Sequence, residues 1–458
     1  MKINRIIGIL LTLLPLWAVA QSAKPIWKHR YEQTLVMKMF LSKPDGKGGS
    51  QVALKFEDAL EIIKKVDRLS LQVPKIIYLV GWQYNGHDDQ YPAFFAVNEK
   101  LKRSADAHAR ESLSWLIREA KKYHTTVSLH LNMTDAYEDS PLWDTYVRKG
   151  LISKTKNGKL KVIGTYNNRK AYHINYKREW ESGWAQKRID SLLWLIPELK
   201  DAGTIHLDAW IARDSEGHGE NKALEIEYQQ KVADYWLSKG IDATTEWVMD
   251  YMRGRVPYYW HFNRRTQQDY LDDPASLVTG GHLNPDLKQS EFDLEFLFGT
   301  SMYGEDVFPR QSAAIAQNGW VADFSRDFYL NFLQYAFLNR LTRLRVDGEG
   351  KSRVVHYDRD VQTSIGDSTV RQQEILLRDH NTVFFPIVWQ AEKQIGLYST
   401  KAQLLKRKLP KDWDGVHTVS LYKVNATGLQ FVKDLSIAEG WCELKMDRGV
   451  PYLIKPKD

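Results

Sequence analysis

Between residues 34 and about 350, short apolar runs alternate with amphipathic stretches, and this alternation limits the fold more than any other feature. "TLVMKMFLS" (34–42), "KIIYLVGW" (75–82), "TTVSLHLNM" (125–133), "GTIHLDAW" (203–210) and "IDATTEWV" (241–248) read as strands. "PYYWHF" (257–262) and "GHLNPD" (281–286) are weaker candidates. Between them, residues 56–69, 109–123, 179–199 and 224–240 carry apolar side chains at helical spacing, and Gly240 stands where a helix C-cap is expected. A strand–helix repeat implies parallel strands joined by crossover helices. Its length and the long segments after the strands favour a (β/α)8 TIM-like barrel, with a doubly wound sheet as the alternative.

After residue 355 the pattern changes to short strands separated by turn residues, as in "EILLRDHNTVFFPIVW" and "HTVSLYKV". An antiparallel β-sandwich is expected over 355–458, behind a barrel over 21–350. The first 20 residues are different again. Lys2 and Arg5 precede an apolar run from Ile6 to Leu16 and then "AVA", which reads as a secretory signal peptide cut after Ala20. That run is too short to span a bilayer comfortably, so no membrane span is expected, and export to the periplasm or medium is. Cys442 is the only cysteine, so no internal disulfide is possible. The net charge of +7 is spread along the chain with no basic stripe, which argues against nucleic acid as a partner. No phosphate-binding glycine loop and no GxSxG elbow occur.

Several strands end in polar groups, which a barrel would gather on one face. "LVGWQYNGHDDQYP" supplies His87, Asp88 and Asp89, and "SLHLNMTDAY" supplies His130 and Asn132. Asp208 lies within "TIHLDAW" and Glu246 within "TTEWV". A carboxylate in an apolar strand is unfavourable unless it is paired or used. Two of them across a pocket suit glycoside hydrolysis, in which one attacks or stabilises the anomeric carbon and the other protonates the leaving oxygen. Trp82, Trp210 and Trp247 stand beside these groups as candidate stacking surfaces for a sugar ring. His87, Asp88 and His130 with Asp208 also form a plausible metal-ligand set, although no tight ligand spacing supports one.

At these strand ends the chain resembles the endo-α-N-acetylgalactosaminidases of glycoside hydrolase family 101 and their family 129 relatives. The resemblance runs through roughly residues 34–265 and rests on "MKMFLS", "YLVGWQYNGHDDQYP", "LHLNMTDAY", "HLDAW" and "TTEWV" in that order. It implies Asp208 as nucleophile and Glu246 as general acid, then base. It implies that His87, Asp88, His130 and Asn132 hold sugar hydroxyls, that the mechanism is retaining, and that an α-linked GalNAc of mucin-type O-glycans is the substrate. No cofactor is expected. Where that family has a Trp-rich loop after the third strand, this chain reads "GTYNNRKAYHINYKREWESG", and Tyr172, His173 and Asn175 are expected in its place. An α-galactoside substrate, a glycan-binding barrel without catalysis and a metal-dependent hydrolase are the competing readings.

Overall fold

A computed structural model describes residues 27–262, 264–282, 292–317 and 319–457. The expected signal peptide lies outside these residues, as does most of "GHLNPD". Seven strands form one sheet: β1 (Leu35–Phe40), β2 (Lys75–Val80), β3 (Thr125–Asn132), β4 (Thr204–Asp208), β5 (Asp242–Trp247), β6 (Tyr258–His261) and β7 (Thr279–His282). Their order in the sheet is their order in the chain, and every adjacent pair is parallel. A doubly wound sheet would reverse direction at a switch point, and this one does not.

The expectation of eight strands needs correction: among the described residues the parallel sheet has seven. An irregular segment stands between its two edges. The Ser301 amide donates to Gly281 O of β7 at 2.6 Å, and the Lys38 amide of β1 donates to Gly304 O at 3.1 Å. Gly304 packs so closely that a Cβ there would lie 2.5 Å from the Met37 side chain. Residues 300–304 thus occupy the eighth place without strand geometry.

Side-chain alternation divides the strands. Met37, Met39, Ile77, Leu79, Val127, Leu129, Leu131, Ile205, Leu207 and Ala243 face the helices and join the main core. Val36, Ile76, Tyr78, Tyr258 and Trp260 form a separate cluster inside the curl with Tyr31. The helices form for ordinary reasons. In α1 (Phe56–Leu69), Phe56, Leu60, Ile63 and Val66 bury one face, and Glu57 and Asp58 sit at the positive N-terminal end. The expected single helix over 179–199 is three pieces, Tyr176–Glu181, Trp184–Leu195 and Leu199–Ala202. Gly183 breaks it with a φ of 78°, and Pro197 separates the second piece from the third.

A helical run over 319–338, not foreseen from the sequence, joins the two halves. It has a π-turn at Phe328–Phe332 and buries Phe324, Phe328, Phe332 and Phe337. Tyr335 donates to Tyr31 O at 2.8 Å on one side, and Arg378 donates to Leu330 O at 2.7 Å on the other. The C-terminal part is one ten-stranded antiparallel sheet beginning at Arg343–Asp347, not two comparable layers. Its outer face is covered by a two-stranded ladder, Gln403–Lys408 with Trp441–Met446, over a core that includes Leu397, Trp413, Leu421 and Cys442. Its inner face shares the main core with the helices.

The loop after β2 returns sharply because of Gly81. Its φ is 76°, and a Cβ would lie 2.0 Å from Ser42 O, which also accepts from the His87 amide at 2.9 Å. Gly81→Ala is expected to lower unfolding stability by about 2–4 kcal/mol, the sum of left-handed strain and a backbone clash. Urea denaturation of the two proteins measures it.

Candidate active site

The pairing register aligns His130 with His206, Asn132 with Asp208, and His206 with Thr244. Lys38, Tyr78, His130, His206, Asp208, Thr244, Glu246 and Trp260 all have even numbers, so alternation turns them to the same side, inside the curl. Ring contacts confirm this face: His206 lies 5.3 Å from both Tyr78 and His130, and 6.1 Å from Trp260. The layer turns polar toward the carboxyl ends of the strands, where Asp208 and Glu246 are partly exposed.

Asp208 and Glu246 meet there. Their carboxyl groups are in hydrogen-bond contact, and their side chains are 15% and 16% exposed, so both reach the pocket. His130 Nε2 stands 3.7 Å from Asp208 Oδ1. Lys38, 1% exposed, places its ammonium 2.8 Å from Glu246 Oε1, 3.7 Å from Glu305 Oε2 and 4.5 Å from the Trp260 ring centre.

The electrostatics follow from burial and this single ammonium. Burial, then the charges of Glu246 and Asp88, push the Asp208 carboxyl well above the usual carboxylate range. Burial also acts on Glu246, but Lys38 and the hydrogen bond from Asp208 outweigh it and hold that carboxyl below its ordinary value. The two carboxyls therefore titrate as one coupled pair, in which burial and Glu246 oppose ionisation of Asp208 while Lys38 favours that of Glu246. Burial and the Lys38 charge hold His130 and His206 far below the usual imidazole value, so both are neutral. Burial alone would lower the Lys38 amine, but Glu246, Glu305 and Asp208 reverse that and keep it charged.

The loop after β2 brings His87 and Asp88 to the same pocket. His87 Nε2 is 3.4 Å from Asp88 Oδ2, and the His87 ring is 5.4 Å from that of His130. Asp88 and Ala209, the residue after Asp208, both have left-handed backbone (φ 56° and 42°), strain of a kind that concentrates at functional sites. A hairpin, Val162–Tyr166 with Arg169–His173, clamps the loop. Arg169 bridges Asp89 at 2.7 Å, pairs with Asp139 and donates to Asp88 O at 2.5 Å, while Asn167 donates to His87 O at 3.1 Å. Tyr166, 44% exposed, sits near Asp135, Asp88 and Asp208, whose charges add to partial burial in raising its phenol.

Not every expected residue lines the pocket. Trp82 and Trp210 are 0% and 2% exposed, so neither can stack on a sugar; Trp82 instead donates to His130 O at 3.1 Å. His173 is fully buried against Ser153 at 2.8 Å and the Tyr176 ring. Asn132 is buried, and its Oδ1 caps the turn by accepting from the amides of Thr134 and Asp135. Tyr172 donates to Glu138 at 2.5 Å, and Asn175 caps a helix. Trp247 stays half-buried at the mouth, 4.6 Å from the His261 ring. Lys38, His206, Glu305, Asp135 and Tyr166 are the site residues the sequence reading passed over. Lys38 carried the same signal as the carboxylates, a charge inside an apolar strand. Asp135 is buried, and its carboxyl is raised to about 7 by burial and the Asp88 charge.

Among the described residues, two groups have donor atoms within 4.8 Å of one another: His130, His206 and Glu246, and His87, Asp88 and Asp208. The first already holds a cation on its carboxylate, the Lys38 ammonium. Each shares a member with the carboxylate pair, and we assign neither as a metal centre.

The profile of the endo-alpha-N-acetylgalactosaminidase family, glycoside hydrolase 101, matches residues 28–274, more than half of the chain. The chain belongs to glycoside hydrolase family 101. No match is found among curated protein sequences. Among solved structures, the alpha-N-acetylgalactosaminidase NagBb from Bifidobacterium bifidum is similar in fold. Its GalNAc complex superposes with a TM-score of 0.52 at 10% identity, over 74% of this chain and 57% of that one. The ligand-free form gives 0.51 at 12% identity, over 74% and 58%. This family 101 chain thus spans under two thirds of the length of that neighbour. Among the described residues no helix is long and apolar enough to cross a membrane.

Arg169 is the pin of the His87–Asp88 loop. Arg169→Met is expected to raise hydrogen exchange across residues 84–90 at least about tenfold, because a half-buried charge-assisted clamp is lost. Exchange measured by mass spectrometry on the folded variant checks it.

Proposed function

We propose that this family 101 protein is an exported retaining glycosidase acting on α-linked N-acetylgalactosaminides, with α-galactosides as close analogues, of mucin-type O-glycans. The observation that carries the reading is the contact between Asp208 and Glu246. An inverting pair stands about 6.5–9.5 Å apart to admit a water, and a retaining pair about 5–5.5 Å. Carboxyl groups this close favour the second arrangement once a sugar has parted them. The name of the structural neighbour, an alpha-N-acetylgalactosaminidase, supports the choice of sugar.

In the first step Asp208, ionised, attacks the anomeric carbon. Glu246 gives its proton to the glycosidic oxygen, and the aglycone leaves as an alcohol. In the second step Glu246 takes a proton from water, the oxygen attacks the same carbon, and Asp208 departs as carboxylate. The reactive protonation is the reverse of the one that burial and Lys38 favour, so a proton crosses from Asp208 to Glu246 as the sugar enters between them. The two groups are already in contact, which makes the crossing short. His87 and Asp88 hold the ring hydroxyls, His130 backs Asp208 from beneath at 3.7 Å, and Trp247 offers the half-exposed aromatic face.

The test uses an activated aryl α-GalNAc glycoside. Asp208→Asn should lose about 10³-fold or more in kcat while keeping its fold. Glu246→Gln should lose most with poor leaving groups and least with the activated one, since acid assistance is what it removes. Near-normal turnover in Asp208→Asn would discard the assignment. Export by the N-terminal segment predicts a mature chain starting at Gln21, which N-terminal sequencing of the secreted protein reads directly.

A further inference from the structure

Lys38 lies on β1, remote in sequence from both carboxylates, yet among the described residues it is the cation in direct contact with Glu246. It is held from three directions: Glu246 Oε1 at 2.8 Å, Glu305 Oε2 at 3.7 Å and the Trp260 ring at 4.5 Å. At 1% exposure it cannot reach a sugar, so it is not a catalytic residue. A buried ammonium is costly to retain, and an apolar side chain of the same length would fill the space without desolvation. Its charge therefore calls for a purpose beyond packing.

We propose that Lys38 is the positioning residue of the carboxylate pair: it ties down one oxygen of Glu246, leaves the other free to face the glycosidic oxygen, and supplies the positive charge against which either carboxylate ionises. This inference rests on the assignment of Asp208 and Glu246 as nucleophile and acid/base. In the resting site the Lys38 charge balances Glu246. When the sugar enters and the proton crosses, the same charge balances ionised Asp208, which also feels it. One ammonium thus serves both forms, and the net charge of the buried cluster does not change between them.

The other charged and titratable groups around the pair do not substitute for it. Glu305, from the segment beyond β7, and Asp88, from the loop after β2, add only negative charge. His130 and His206, on β3 and β4, are neutral. His87 faces Asp88, His261 faces His206, and the Tyr91 phenol near Asp208 and Asp88 is held protonated by burial. Without Lys38, both ionisations of the pair become harder.

Two measurements test this. The first is the pH profile of kcat/KM for wild type, Lys38→Met and Lys38→Arg on an aryl α-GalNAc glycoside. Both limbs report the coupled pair, and loss of the cation should move both toward alkaline pH by about one unit or more in Lys38→Met. Lys38→Arg, which keeps the charge, should retain the wild-type limbs even if kcat falls. A folded Lys38→Met with lower kcat and unmoved limbs would reduce Lys38 to packing and overturn the proposal. The second is carboxyl ¹³C NMR titration of the wild-type protein, with the two signals assigned through Asp208→Asn and Glu246→Gln. Glu246 should stay ionised to lower pH than Asp208, and the reverse order would overturn the proposal. This arm needs neither a folded Lys38→Met nor turnover. If wild type fails to hydrolyse the glycoside, the proposed function falls, while a reversed titration order would still overturn the role of Lys38.

Discussion

Everything at the pocket depends on two carboxyl groups in contact, Asp208 and Glu246, held against one buried ammonium. Two like charges at that distance cannot both stand ionised in a poorly solvated place. They titrate as one coupled pair, and Lys38 favours the ionisation of Glu246. The neutral histidines beneath them and the acidic loop beside them are arranged around this constraint. His130 and His206 could not stay uncharged beside so many carboxylates if burial and the Lys38 charge did not press on them together.

The fold serves this arrangement by separating two kinds of surface. Alternation sends the aliphatic residues of each strand outward to the helices and the polar or aromatic ones inward. Parallel strands in chain order then bring the inward residues from β1, β3, β4 and β5 to one end. The ten-stranded sheet does not reach into the pocket. It shares the main core and is tied to the parallel sheet through the helical run over 319–338, so its place in the structure is that of a buttress. Trp389 adds to this by donating to Leu71 O beyond the end of α1 at 2.9 Å.

Much of this was legible in the sequence because period and punctuation were strong. The first five strands and the helices α1, Ala109–Ala120 and Lys222–Ser238 lie where the pattern puts them, and the acidic residues of "HLDAW" and "TTEWV" do meet. Other features were hidden for physical reasons. An irregular segment that finishes a curl through two backbone hydrogen bonds has no side-chain period to betray it, as residues 300–304 show. Trp210 was misplaced because the strand ends at Asp208: the left-handed Ala209 breaks the alternation there and turns Trp210 into the core. The burial of His173 depends on a hairpin whose docking is a tertiary fact. Two signals were missed although the sequence carried them: Phe324, Phe328 and Phe332 stand four apart in the helical run over 319–338, and Lys38 is a charge inside an apolar strand like Asp208 and Glu246.

The account stands on a double displacement across a pair of touching carboxyls. Its most direct test is the anomer first released from an α-GalNAc glycoside, read by proton NMR before mutarotation mixes the forms. The account predicts that the α-anomer appears first and relaxes to the equilibrium mixture. Initial release of the β-anomer would contradict it.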